Sequence, residues 1–161
     1  MFIAGTEYNA SCKALEIFVS GCTRACPGCH NKELWNFNKG THLLDIFSDL
    51  LDKLDSLPKG LVERIFIVGG EPLQQPDVEL KFLLSVLHTF PFELWLFTGY
   101  PSFIARSLLY AKDIGSYIHV LKHGRYMADR PSYVDSSCGV NITLASSNQE
   151  LQRLNPYYTP L

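Results

Sequence analysis

The chain has 161 residues, 47% of them hydrophobic and 19% charged, and 14 Lys and Arg stand against 16 Asp and Glu for a net charge of −2. That size and balance fit a single domain over residues 1–161 with a sizeable core, and they leave no basic footprint for nucleic acid or an anionic membrane. No apolar run approaches the ~18 residues of a membrane span, and Met1–Glu7 lacks the basic start and apolar core of a signal peptide, so a cytoplasmic, reducing compartment is expected.

In chain order, Leu15–Val19 reads as a first buried strand that runs into Ser20-Gly21 and a cysteine-rich loop. A helix is expected over Leu43–Leu57. Leu43, Leu44, Phe47, Leu50, Leu51 and Leu54 recur there at helical spacing, and Asp45, Asp49, Asp52 and Asp55 take the other face. Thr41 suits its N-cap and Pro58-Lys59-Gly60 its stop. Arg64–Val68 is a second strand ending in Gly69-Gly70. Asp77 then caps a helix running to Thr89. Glu93–Phe97 is a third strand, closed by Thr98-Gly99-Tyr100, and Ser102–Tyr110 a short helix. Tyr117–Leu121 reads as a fourth strand, Val140–Leu144 as an edge strand, and Asn148–Leu154 as a short helix.

Strands alternating with helices imply an α/β fold with right-handed crossovers and a mainly parallel sheet. A complete eight-unit barrel needs about 250 residues, and this chain has room for four or five units, so a partial, open β/α barrel is expected. Ligands of such sheets sit beyond the carboxyl ends of the strands. The cysteine loop, Gly69-Gly70 and Thr98-Gly99 all fall at that end.

Five cysteines are present: Cys12, Cys22, Cys26, Cys29 and Cys138. An odd count in a reducing compartment argues for metal over a disulfide framework. Cys22, Cys26 and Cys29 form a C-x3-C-x2-C pattern. Three local thiolates reach three corners of a 4Fe–4S cluster and leave one iron open to a ligand. The alternative is zinc, with His30 completing Cys3His. Four ligands within nine residues leave little chain to close a tetrahedron, and no second ligand pair is in sight. Lone Cys12 and Cys138 are read as small buried hydrophobes. In Gly69-Gly70-Glu71-Pro72 the glycines allow close backbone approach to a ligand, and Glu71 offers a carboxylate to an ammonium group. Lys122, His123, Arg125 and Arg130 form a local basic patch that either meets an acidic partner or meets nothing.

Together the cysteine loop and the Gly-Gly-Glu-Pro turn resemble the radical S-adenosylmethionine enzymes. Phe18-Val19-Ser20-Gly21-Cys22, Cys26-Pro27-Gly28-Cys29-His30-Asn31, Trp35, Gly69-Gly70-Glu71-Pro72-Leu73, Trp95–Tyr100 and Ser146-Ser147-Asn148-Gln149 narrow the resemblance. They are similar to the members that activate anaerobic (class III) ribonucleotide reductases. Three positions depart from that pattern: His30 where tyrosine is usual, His123-Gly124 for aspartate-glycine, and Leu144-Ala145 for arginine-glycine. The resemblance implies that Cys22, Cys26 and Cys29 hold the cluster and that S-adenosylmethionine chelates the open iron. It puts Gly69, Gly70 and Glu71 at the methionine end, and Gly28, Cys29 and His30 near the adenine. It further implies an external electron donor such as flavodoxin, reductive cleavage to a 5′-deoxyadenosyl radical, and a glycine of the reductase as the hydrogen source. Two other functions stay open at this point: radical chemistry on a small molecule, and a zinc-stapled adaptor without catalysis.

Overall fold

The computed structural model describes residues 1–154. β1 (Phe2–Asn9) and β2 (Ala14–Val19) form an antiparallel hairpin, and β3 (Thr41–His42) pairs with the other side of β1. α1 (Leu43–Asp55) leads to β4 (Arg64–Gly69), α2 (Asp77–Leu87) to β5 (Glu93–Phe97), and α3 (Ser102–Ala111) to β6 (Val120–His123). β7 (Tyr133–Asp135) and β8 (Ile142–Leu144) make a separate two-stranded sheet, and β9 (Glu150–Arg153) pairs with β6. The seven-stranded sheet runs β3-β1-β2-β4-β5-β6-β9. Its four central strands, β2-β4-β5-β6, are parallel and its flanks antiparallel. The sheet does not close on itself, in keeping with an open, partial barrel.

Alternation along the central strands divides the core in two. Ile17, Ile65, Ile67, Leu94, Leu96 and Leu121 belong to a cluster with the apolar faces of the three helices. Ala14, Phe66, Trp95 and Val120 join Cys12, Cys138, Ile142 and Leu144 in the second. With both faces covered, β4 is apolar and buried throughout Ile65–Val68. Cys12 and Cys138 are core residues, as their isolation in sequence suggested.

The structure departs from the expected elements in several places. Thr41 does not cap α1, because it is drawn into β3. The cap is His42, whose Nδ1 accepts from the Leu44 amide at 3.4 Å. Asp77 is the first residue of α2 rather than its cap, and Pro76 holds the cap position. The fourth parallel strand begins three residues later than expected, since Gly115–Tyr117 forms a 3-10 turn. Register with β5 then places Lys122 opposite Phe97. The edge strand expected at Val140–Leu144 is the shorter β8 and lies outside the main sheet. Asn148–Leu154 is no helix. β6 presents an unpaired edge there, and backbone pairing from His123↔Glu150 to Val120↔Arg153 satisfies it. β1 escapes notice in the sequence because its second half, Thr6–Asn9, is polar and largely exposed.

Candidate functional site

β2 hands the chain to the cysteine loop through Gly21, whose φ of +108° only glycine adopts freely and where a Cβ would lie 2.1 Å from the Phe37 ring. The Gly21 amide donates to Leu34 O (2.8 Å) and the Cys22 amide to Trp35 O (3.2 Å). Cys26-Pro27-Gly28-Cys29 is a β-turn, with the Cys29 amide donating to Cys26 O at 3.1 Å. Proline at its second position and glycine at its third, with φ +73°, are the type II pattern. Short-range turn chemistry thus sets the spacing of the second and third cysteines.

The three thiols line a cleft of about 200 Å3 at the carboxyl ends of β2, β4, β5 and β6. His30, Gly69, Gly70 and Glu71 line it as well. Gly28 does not; a Cβ there would sit 3.0 Å from the Ala128 Cβ. All five cysteines are free. Burial pushes the Cys22 thiol up, and the negative charges of Glu71, Cys26 and Cys29 add to this. The Arg24 amide, 3.4 Å from the sulfur, works in the opposite direction.

Glu71 is 1% exposed, and its carboxylate is committed to the chain itself. Oε1 accepts from the Leu73 amide (3.1 Å) and the Thr98 hydroxyl (2.7 Å), and Oε2 from the Gly99 amide (2.8 Å). It is a staple between the loops after β4 and β5, which lowers its availability to a ligand ammonium. Burial pushes its carboxyl above the usual range against the pull of those three hydrogen bonds. Removing it strands buried donors, each costing about 1–3 kcal/mol, so Glu71→Ala should lower the unfolding free energy by about 3 kcal/mol in denaturant titrations of the apoprotein. A loss below about 1 kcal/mol would refute the staple.

The two glycines before it also serve the chain's own packing. A Cβ at Gly69 would lie 2.5 Å from Val19 O, and one at Gly70 2.5 Å from Gly21 O. Gly70 and Glu71 donate their amides to Val19 O (2.8 Å) and Gly21 O (2.9 Å). The close approach they permit is therefore first of all to the end of β2.

Several lining residues are not placed in the site by the sequence. The Arg24 guanidinium lies 4.4 Å over the Tyr100 ring, and its Nε is buried with no hydrogen-bond partner among the described residues. Lys122 faces the cleft with its ammonium 5.9 Å from the Phe97 ring. Burial lowers its pKa to about 8, against the pull of Glu71 and Cys26. Of the expected basic patch, Lys122 lines the cleft, His123 is buried, Arg125 is exposed and donates to Arg24 O at 3.2 Å, and Arg130 is exposed. Gln149, 2% exposed, accepts from Ala145 N and Ser146 N and donates to Gly124 O. Only the strand register and loop packing bring these residues to the cysteines.

The donor set suits a cluster: three free thiols line one cleft, and a cube takes each thiolate on a separate iron and leaves the fourth iron to a ligand.

A sequence profile described as "4Fe-4S single cluster domain" matches residues 11–151. The chain is 32% identical over 148 residues to an anaerobic ribonucleoside-triphosphate reductase-activating protein of Pasteurella multocida, covering 88% of this chain and 87% of that protein. It is 31% identical to the protein of that name from enterobacteria phage T4, with 72% of each covered. The Escherichia coli K12 protein of the same name is 31% identical over 70% of this chain and 74% of its own length.

Proposed function

This chain belongs to the family of anaerobic ribonucleoside-triphosphate reductase-activating proteins, built on a 4Fe–4S single cluster domain, and we propose that it installs the glycyl radical of an anaerobic ribonucleotide reductase. The observation that carries the reading is the convergence of three free cysteines and the Gly69-Gly70-Glu71 edge on one cleft. Cys22, Cys26 and Cys29 hold three irons of the cluster. Gly69 and Gly70 present backbone at the methionine end of S-adenosylmethionine, with Glu71 fixing that edge, and Cys29 and His30 stand at the adenosine end. Gly28 contributes from behind the loop, as the turn residue that sets Cys29. When bound, the cluster and S-adenosylmethionine supply a one-electron cleavage that gives methionine and a 5′-deoxyadenosyl radical.

The chain's own groups hold the reactants and limit water. Phe97 and Val68 give the cleft an apolar floor. Arg24 and Lys122 set two cations against the single carboxylate Glu71, a balance that suits anionic thiolates and a ligand carboxylate. The open sheet leaves the cleft to be covered by a macromolecule, which favours a protein loop over a small molecule as the hydrogen source. The electron comes from an external donor such as flavodoxin, and five free thiols suit a cytoplasmic setting. No described helix is long and apolar enough to cross a membrane.

The test is anaerobic incubation of reconstituted, reduced protein with S-adenosylmethionine and the cognate reductase. A spin-quantified glycyl signal on the reductase is expected, with methionine and 5′-deoxyadenosine as products. Cleavage without a radical on the reductase would replace this reading with one of radical chemistry on a small molecule.

A further inference from the structure

The Cys26–Cys29 turn closes on its own backbone, but the run Thr23–Ala25 that joins it to Cys22 has no regular structure. Ala25 sits there at φ +45°, a conformation that a Cβ disfavours. Residues far away in the chain hold this run. Gln74 ends the 3-10 turn Pro72–Gln74 that follows Glu71. Its Oε1 accepts from the Thr23 amide at 2.8 Å, and its Nε2 donates to the Thr23 hydroxyl at 2.9 Å and the Tyr100 hydroxyl at 3.0 Å. These three bonds use the oxygen and both hydrogens of the side-chain amide and so fix which way it points; reversed, it would set its own N–H against that of Thr23. Tyr100 is itself anchored, its amide donating to Thr98 Oγ1 (3.1 Å) and its carbonyl accepting from the Gly124 amide (2.9 Å). The next residue of the run, Arg24, lies over the Tyr100 ring. Gln74, Thr23 and Tyr100 do not line the cleft. Gln75 beside them, 2% exposed, has a different task, donating to Gly21 O (3.3 Å) and Glu71 O (3.2 Å) at the strand junction.

Resting on the reading that Cys22, Cys26 and Cys29 hold the cluster, we propose that Gln74 is a positioning residue for it: its amide ties the Thr23–Ala25 run to Tyr100 and so fixes Cys22 relative to the Cys26–Cys29 turn. Left to itself, a run of three residues with one strained backbone angle would let the first thiol drift from the other two. A run already ordered by the chain loses less conformational entropy when the cluster is bound. Hydrogen bonds behind the ligands of a metal site change its affinity by about 10–100-fold. Gln74 acts on the neighbour of a ligand rather than on the ligand, so the low end of that range is expected.

The experiment makes two measurements on the full chain, reconstituted with iron and sulfide under anaerobiosis. In Gln74→Leu the Thr23 amide should exchange its hydrogen about fivefold faster than in the native protein, as expected for one lost hydrogen bond. Iron should pass to a ferrous chelator about tenfold faster from the same variant, while the melting temperature stays close to native because Gln74 is only half-buried. Gln74→Glu, whose carboxylate accepts from the Thr23 amide and from both hydroxyls, should restore both rates, which a mere loss of packing would not predict. Gln74→Met serves where the leucine variant fails to fold, and it should show the same two changes. Native exchange at Thr23 in the leucine or methionine variant overturns the clamp. Faster exchange with native iron release overturns the positioning role and leaves the three cysteines as ligands. Failure of the native protein to take up iron overturns the cluster reading itself, and the proposal with it.

Discussion

Replacing any one of Cys22, Cys26 or Cys29 with alanine is expected to abolish cluster retention and, with it, all reductase activation. In the proposed site each thiolate would hold a different iron, so loss of one would open a second corner to solvent and the cube would no longer be held. Anaerobically reconstituted native protein should carry about four iron and four sulfide per chain, and each variant far less. Cys12→Ala and Cys138→Ala should keep full iron, because both side chains lie in the core beneath the sheet and neither lines the cleft. Their cost is in packing alone and belongs in the melting temperature. Stoichiometric zinc without iron uptake, or a Cys138 variant that loses iron, would overturn the ligand assignment.

Gly70→Val is expected to remove both stability and iron binding. A Cβ at position 70 would lie 2.5 Å from the Gly21 carbonyl oxygen and 3.0 Å from the Gly21 nitrogen. Both are backbone atoms, and Gly21 is itself held by Leu34 O, by the Glu71 amide and by the Gln75 side chain at 3.3 Å. The clash cannot be relieved by a rotamer change, so β2 and β4 must part at the point where the cysteine loop begins. A cost of at least about 3 kcal/mol follows, above the usual range for an overpacked core. Denaturant unfolding and iron analysis of the same preparation measure both effects. A Gly70→Val protein with native stability and iron, impaired only toward S-adenosylmethionine, would mean that the glycine serves the ligand and not the junction.

What could be read from residues alone was local. The spacing of Cys26 and Cys29 is set by a Pro-Gly turn, so the local shape of that loop was legible without the fold. The apolar runs Arg64–Val68 and Glu93–Phe97 are buried on both faces, and Leu15–Val19 is buried on one with Glu16 and Phe18 half-buried on the other, so all three read as strands, and their alternation with helices implied an open sheet with its ligand end at the cysteines. Residues whose roles depend on distant partners were not legible. Glu71 looked like a free carboxylate until Thr98 and Gly99, 27 and 28 residues away, were seen to consume it. Glu150–Arg153 has no strand pattern of its own, and the unpaired edge of β6 decides its conformation. Lys122, Arg24 and Tyr126 enter the cleft only through register and loop packing. Turn chemistry and two-sided burial act over a few residues and leave a mark in sequence. Hydrogen bonds and ring contacts between segments far apart in the chain leave none, and those contacts built the walls of this site.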